Sequence, residues 1–121
     1  MASFWLGAKA SARGYRLFGY DTIGSTNSEA AQAARNGDAG NVWFATLQQT
    51  AGRGRRGRAW ETPAGNLGAS LLVAPDTDPS VAATLGFVAG VALHRALRDL
   101  LPPATDGGGR LALKWPNDLL A

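Results

Sequence analysis

Between Ser80 and Leu101, the apolar residues Leu85, Val88, Ala89, Ala92, Ala96, Leu97 and Leu100 recur at spacings of three and four. That period predicts a helix with one face turned to a core, ended by Pro102-Pro103. The earlier segments follow a different pattern. Tyr15 to Tyr20 is short and aromatic, Asn41 to Gln48 is β-branched and aromatic at its centre, and Leu67 to Val73 is an apolar run. All three read as strands. A second helix is expected between the first two. Thr26 and Glu29 have the spacing of a capping box ahead of Ala30-Ala31-Gln32-Ala33-Ala34-Arg35, and Asn36-Gly37 ends the run. After a turn at Thr105 to Gly109, Arg110 to Trp115 alternates like a strand, with Leu111 and Leu113 on one face and Lys114 on the other. The order of elements predicts an α/β (α+β) fold, a mixed sheet with helices packed on it. Residues 1 to 14 show no period and read as a loose leader, leaving 15 to 121 as the folded part. The chain stops in apolar residues just after a turn, where a strand is expected to continue or pair, as in a truncated domain.

A chain of 121 residues fits one compact domain. It has no cysteine, which excludes disulfides, thiol nucleophiles and cysteine-based zinc sites. No run approaches the roughly 18 consecutive apolar residues of a membrane span, and the N-terminus lacks the pattern of a secretory signal. A cytoplasmic protein is the expectation. The net charge of +3 is a local matter, because Arg53, Arg55, Arg56 and Arg58 crowd four of the twelve basic residues into six positions. Without them, eight basic residues would face nine acidic ones. A generally cationic surface of the kind that coats nucleic acid is not what the sequence encodes.

Those arginines lie in Gln48-Gln49-Thr50-Ala51-Gly52-Arg53-Gly54-Arg55-Arg56-Gly57-Arg58-Ala59-Trp60. Gly52, Gly54 and Gly57 satisfy the spacing of a dinucleotide-binding turn, but no helix can begin there to meet a pyrophosphate, because residues 58 to 65 are poor helix formers. A P-loop is excluded as well, since no Gly-Lys-Ser/Thr follows. The glycine content of 50 to 66 predicts an irregular, mobile loop whose guanidinium groups can close over a polyanion such as triphosphate. A solvated basic turn, or a loop that meets RNA phosphates, fits the same composition.

Two further segments can carry chemistry. In Lys114-Trp115-Pro116-Asn117-Asp118, a lysine at a strand end can meet a carboxylate or phosphate, while Asn117 and Asp118 offer oxygens to Mg²⁺ or to a ligand hydroxyl. A strand end with a snorkelling lysine and a Pro-Asn-Asp turn is the structural alternative. In Gly24-Ser25-Thr26-Asn27, hydroxyls and an amide at a helix N-terminus can either cap the helix or bind a small polar head group. His94 lies within the long helix and receives no role.

Taken in order, Ser25-Thr26-Asn27, the segment Gln49 to Trp60 and Lys114 to Asp118 resemble the catalytic domain of biotin protein ligases, over residues 15 to 121. The resemblance implies the class II aminoacyl-tRNA synthetase-like fold of biotin and lipoate ligases, of which this chain would be the N-terminal part. It implies an enzyme that condenses biotin and ATP, with Mg²⁺, to biotinyl-5′-adenylate, then biotinylates a lysine of a biotin carboxyl carrier protein. Ser25, Thr26, Asn27, Gln49, Gly52, Arg53, Gly54, Arg55 and Lys114 would contact biotin. Arg53, Arg55, Arg56, Arg58, Trp60, Asn117 and Asp118 would contact ATP, with Asn117 and Asp118 also placed to position Mg²⁺. Lys114, Arg53 and Arg55 would be the catalytic groups, and the arginine loop would be disordered when empty. A helix-turn-helix DNA-binding domain is not expected. A lipoate ligase-like acyl-adenylating enzyme, an arginine-loop nucleic-acid-binding module and an inactive fragment are the competing readings.

Overall fold

The computed structural model describes residues 4–101, 111–114 and 118–120. Its contacts divide into two compact units, Met1–Ala74 and Pro75–Ala121. In the first, helix α1 (Ala8–Ala12) precedes strand β1 (Arg16–Tyr20), helix α2 (Thr26–Arg35), strand β2 (Val42–Thr46) and strand β3 (Gly68–Leu72). The strands form one sheet in the order β1-β2-β3, parallel between β1 and β2 and antiparallel between β2 and β3. This is the mixed sheet expected from the order of elements, with α2 as the crossover that a parallel pair requires.

Register decides which side chains meet α2. Phe18 pairs with Phe44, which pairs with Ser70, and Tyr20 pairs with Thr46, which pairs with Gly68. These rows share one sheet face. Ala30 of α2 is buried there with Val42 and Phe44, and Tyr20, Ala33 and Leu72 pack against that cluster. Phe18 and Phe44 stack with ring centroids 5.6 Å apart. Thr46 is fully buried, and its hydroxyl meets the carbonyls of Asp21 and Gln48 at 3.2 and 3.0 Å, tying the exit of β1 to the exit of β2.

The leader differs from expectation. Residues 8–12 are helical, and Phe4 covers Gly19, where an added Cβ would come within 2.7 Å of its ring. Gly19 therefore supplies the space that seats Phe4. The capping pattern at α2 also differs. Its N-cap is Ser25, whose side chain accepts from the Ser28 N–H, so the Thr26 hydroxyl is released from capping. The turn before β2 is pinned by Arg16, whose Nη2 lies 2.6 Å from Asp38 Oδ1 and 3.2 Å from the Gly40 carbonyl.

The second unit holds helices α3 (Pro79–Ala82) and α4 (Leu85–Leu100) and strands β4 (Ala112–Lys114) and β5 (Asp118–Leu120). The helix expected over 80 to 101 is broken near Ala83, and the final apolar residues pair antiparallel with β4. Taken together, Pro79–Leu100 is long and apolar enough to cross a membrane by length and composition. The same stretch carries His94, Arg95, Arg98 and Asp99 toward its end, and the His94 ring meets the Leu111 carbonyl oxygen at 3.3 Å. A carbonyl only accepts, so Nε2 carries the proton and the histidine pins the helix to the start of β4. The expected turn over 105 to 109 lies outside the described residues.

Candidate functional site

The site lies beyond the C-terminal end of β2, where the chain leaves the sheet. Ile23 and Gln49 continue the parallel pairing as an isolated bridge, and Gln49 also bridges to Thr62. The Thr50 N–H donates to the Ile23 carbonyl and the Ala51 N–H to the Gly24 carbonyl, at 2.9 and 2.7 Å. These bonds bring the start of α2 beside Gln49. A cavity of about 470 Å³ opens there, and Ser25, Thr26, Asn27, Gln49, Arg53 and Trp60 are among its walls. Its size falls in the range of about 300–1,000 Å³ usual for small-molecule sites.

Gln49 organises the wall. Its Oε1 accepts the Thr26 backbone N–H at 2.9 Å and the Thr26 hydroxyl at 3.1 Å, while Nε2 donates to Thr62 Oγ1 at 3.1 Å. Thr26 Oγ1 in turn lies 2.9 Å from Ser70 Oγ. One amide thus joins α2 to the segment before Pro63, and through the Thr26 hydroxyl the chain reaches β3. Two glycines make room for it. A Cβ at Gly68 would lie 3.1 Å from Gln49 Cδ, and one at Gly52 would lie 2.7 Å from the Trp60 carbonyl oxygen and 3.1 Å from Gln49 Nε2.

The arginine segment, expected as an irregular loop, closes into a narrow hairpin. Arg53 bridges to Ala59, the Gly54 N–H donates to the Arg58 carbonyl at 2.6 Å, and the Trp60 N–H donates to the Gly52 carbonyl at 2.8 Å. Two successive left-handed residues, Arg56 at φ 59° and Gly57 at φ 70°, turn the chain. Alternating glycines leave the hairpin backbone uncluttered, and no acidic residue stands between the arginines in sequence. Arg53, Arg56, Arg58 and Trp60 are exposed, Gly52 is buried and Gly54 is half-buried. The Arg55 side chain lies outside the described residues.

Of the predicted biotin contacts, Ser25, Thr26, Asn27, Gln49 and Arg53 meet around this cavity. Lys114 is an exposed residue at the end of β4, opposite Asp118, in the second unit. Asn117 lies outside the described residues, as does the Asp118 side chain, so the expected Mg²⁺ ligands belong to that undescribed part. Among the described residues, no group of three or more His, Asp or Glu side chains could hold a metal ion. Sequence reasoning missed Thr62 and Ser70. Ser70 had a visible signal, a polar residue inside the apolar run from Leu67 to Val73, whereas Thr62 in its glycine-rich surroundings had none.

Residues 20–121 match the model of the biotin/lipoate A/B protein ligase family. The chain is 48% identical over 96 residues to the biotin--[acetyl-CoA-carboxylase] ligase of Paracoccus denitrificans, covering 79% of this chain and 38% of that protein. Among solved structures, it is similar to the biotin acetyl coenzyme A carboxylase synthetase of Helicobacter pylori with bound biotinylated ATP. There the TM-score is 0.68 and the identity 25%, over 88% of this chain and 49% of that one. It is also similar to the biotin protein ligase of Aquifex aeolicus in complex with biotin and ATP. That comparison gives a TM-score of 0.65 and 27% identity, over 86% of this chain and 40% of the other. The chain thus spans less than half the length of these relatives. Its three motifs all lie within the matched residues. The chain belongs to the biotin/lipoate A/B protein ligase family.

Proposed function

We propose that the protein is a biotin protein ligase. A biotin carboxylate oxygen attacks the α-phosphorus of Mg-ATP, the bond to pyrophosphate breaks, and biotinyl-5′-adenylate forms. A lysine amine of a carboxyl carrier protein then attacks the acyl carbon, losing a proton as AMP leaves. The observation that carries this reading is the meeting of Ser25, Thr26, Asn27, Gln49, Arg53 and Trp60, from two separate segments, around one cavity of ligand size. The neighbours from Helicobacter pylori and Aquifex aeolicus, which hold biotinylated ATP and biotin with ATP, support it.

In this reading Ser25, Thr26, Asn27 and Gln49 hold the polar head group of biotin, and the Gly52 and Gly54 backbone approaches it closely. Arg53 and Arg55 bind the carboxylate and the phosphates, offsetting the repulsion between two anions that must touch. Arg56, Arg58 and Trp60 face the nucleotide, Lys114 stabilises the charge that builds at the α-phosphate, and Asn117 and Asp118 serve the metal and the triphosphate. On this reading the protein acts in the cytoplasm, where ATP is available. Incubating the protein with biotin and Mg-ATP and searching by mass spectrometry for the acyl-adenylate tests it. Biotinyl-adenylate with matching pyrophosphate release is the expected product. An adenylate formed from lipoate and not from biotin would move the protein to the lipoate branch, and none from either would reject ligase activity.

A further inference from the structure

The hydroxyls and the amide around the cavity form a chain whose proton directions follow from a single bond. The Thr26 backbone N–H can only donate, so the Gln49 side-chain atom 2.9 Å from it is the oxygen. The Thr26 hydroxyl, 3.1 Å from that same oxygen, must therefore donate as well, which uses its one proton. Thr26 Oγ1 can then meet Ser70 Oγ, 2.9 Å away, only as an acceptor, so the Ser70 proton points to Thr26. At the other end, Gln49 Nε2 donates to Thr62 Oγ1, leaving the Thr62 proton directed elsewhere. All four residues line the cavity. At one end of the chain Ser70 has lone pairs and no proton left to offer, and at the other Thr62 has a proton to give.

We propose that Ser70 and Thr62 are specificity-determining residues of the ligand cavity. Together they give its wall a fixed hydrogen-bond polarity, with an acceptor at Ser70 Oγ and a donor at the Thr62 hydroxyl, complementary to a cyclic urea. This inference rests on the biotin reading above. A urea ring offers N–H donors and a carbonyl acceptor on adjacent atoms, which is the pattern such a wall rewards. It disfavours a ring of the same shape that carries donors only, because the Thr62 proton then faces no acceptor and the hydroxyl has only its one remaining lone pair to offer. At Ser70 the polarity cannot relax by rotating the hydroxyl, since its proton is committed through Thr26 and Gln49 to the backbone of α2.

The test is equilibrium titration of the protein with biotin and with 2-iminobiotin, whose protonated cyclic guanidinium presents only donors. Thr62→Val, Thr62→Ser and Ser70→Ala are compared with the parent protein, each with a thermal melt. The parent is expected to bind biotin and to discriminate against 2-iminobiotin. Thr62→Val should weaken biotin about tenfold while changing 2-iminobiotin less than about twofold, so that the preference collapses, and Thr62→Ser should restore it. Ser70→Ala, on a different element, should weaken biotin by a similar factor and relax discrimination against a ring-N-methylated biotin that lacks the N–H donor. A loosened pocket would weaken all ligands together and leave the ratios unchanged. Unchanged ratios in folded Thr62→Val and Ser70→Ala, with biotin still bound by the parent, would overturn the polarity and leave the biotin reading intact. A folded parent protein that binds no biotin would overturn both.

Discussion

Gln49 Oε1 accepts two hydrogen bonds from Thr26, one from its backbone N–H at 2.9 Å and one from its hydroxyl at 3.1 Å. A helix N-terminus has orphan N–H groups to satisfy. Here Ser25 caps one of them, while a residue beyond the next strand satisfies another. The wall of the cavity and the N-terminus of α2 therefore depend on the same amide. Gln49→Ala is expected to destabilise the protein by about 1–3 kcal/mol, the cost of leaving partly buried donors without a partner. Denaturant unfolding measures it, and a loss below about 0.5 kcal/mol would show that water replaces the amide without penalty.

Gly52 lies where the hairpin crosses closest to Gln49. Its Cβ would meet a backbone carbonyl oxygen at 2.7 Å, an atom that cannot swing away as a side chain end can. Gly52→Ala is therefore expected to cost about 1–3 kcal/mol by overpacking, and to open the hairpin. Hydrogen exchange at the Trp60 amide, which donates to Gly52, reads the opening. Unchanged protection would mean that the hairpin tolerates a side chain there.

Phe44 and Phe18 stack, but they are unequally buried, with 4% of Phe44 exposed and 47% of Phe18. Phe44→Ala is expected to cost about 3–5 kcal/mol and Phe18→Ala less than half of that. Equal losses from the two would show that the stack, and not burial, carries the energy.

The Arg16 guanidinium hydrogen-bonded to Asp38 holds that carboxyl below its usual value of 3.8, helped by the Gly40 N–H. A carboxyl whose folded value is lowered binds protons more readily when unfolded. Its stabilising effect is thus complete above the unfolded value of 3.8 and is lost as pH falls from there through the lowered folded value. Melting curves of Asp38→Asn should run parallel to the parent's in strong acid and fall below them at neutral pH. A constant separation across both would contradict the linkage.

Lys114 is exposed on a short strand, so its removal takes little from any core. Lys114→Ala should shift stability by less than about 0.5 kcal/mol, yet reduce adenylate formation by about 100-fold or more through lost charge stabilisation. Parallel losses of folding and adenylation would make the lysine structural.

Much of this was legible in the sequence for definite reasons. The strands at 16–20, 42–46 and 68–72 are short apolar or aromatic runs, and Ser25 to Asn27 and Gln49 stand past the ends of the first two, while Ser70 faces the cavity from within the third. Ser25 to Asn27 and Gln49 to Trp60 advertise binding chemistry locally, through hydroxyls before a helix and guanidiniums between glycines. The hairpin at 53–59 was not legible, because glycine-rich composition fits an irregular loop as well as a tight turn. Its fold depends on cross-strand bonds such as Trp60 to Gly52. The capping role passed from Thr26 to Ser25 for a tertiary reason, the demand of Gln49 for the Thr26 hydroxyl. Nothing near Thr62 reveals that Gln49 will reach it from thirteen residues away.

Equilibrium dialysis of the protein against radiolabelled biotin tests the central claim most directly, with the Gln49→Ala variant run in parallel. One biotin held per chain by the parent protein, and an affinity about tenfold or more weaker in the variant, is the predicted result. No retention of biotin by the folded parent, or equal retention by both proteins, would contradict the assignment of the Gln49-centred cavity as the biotin site.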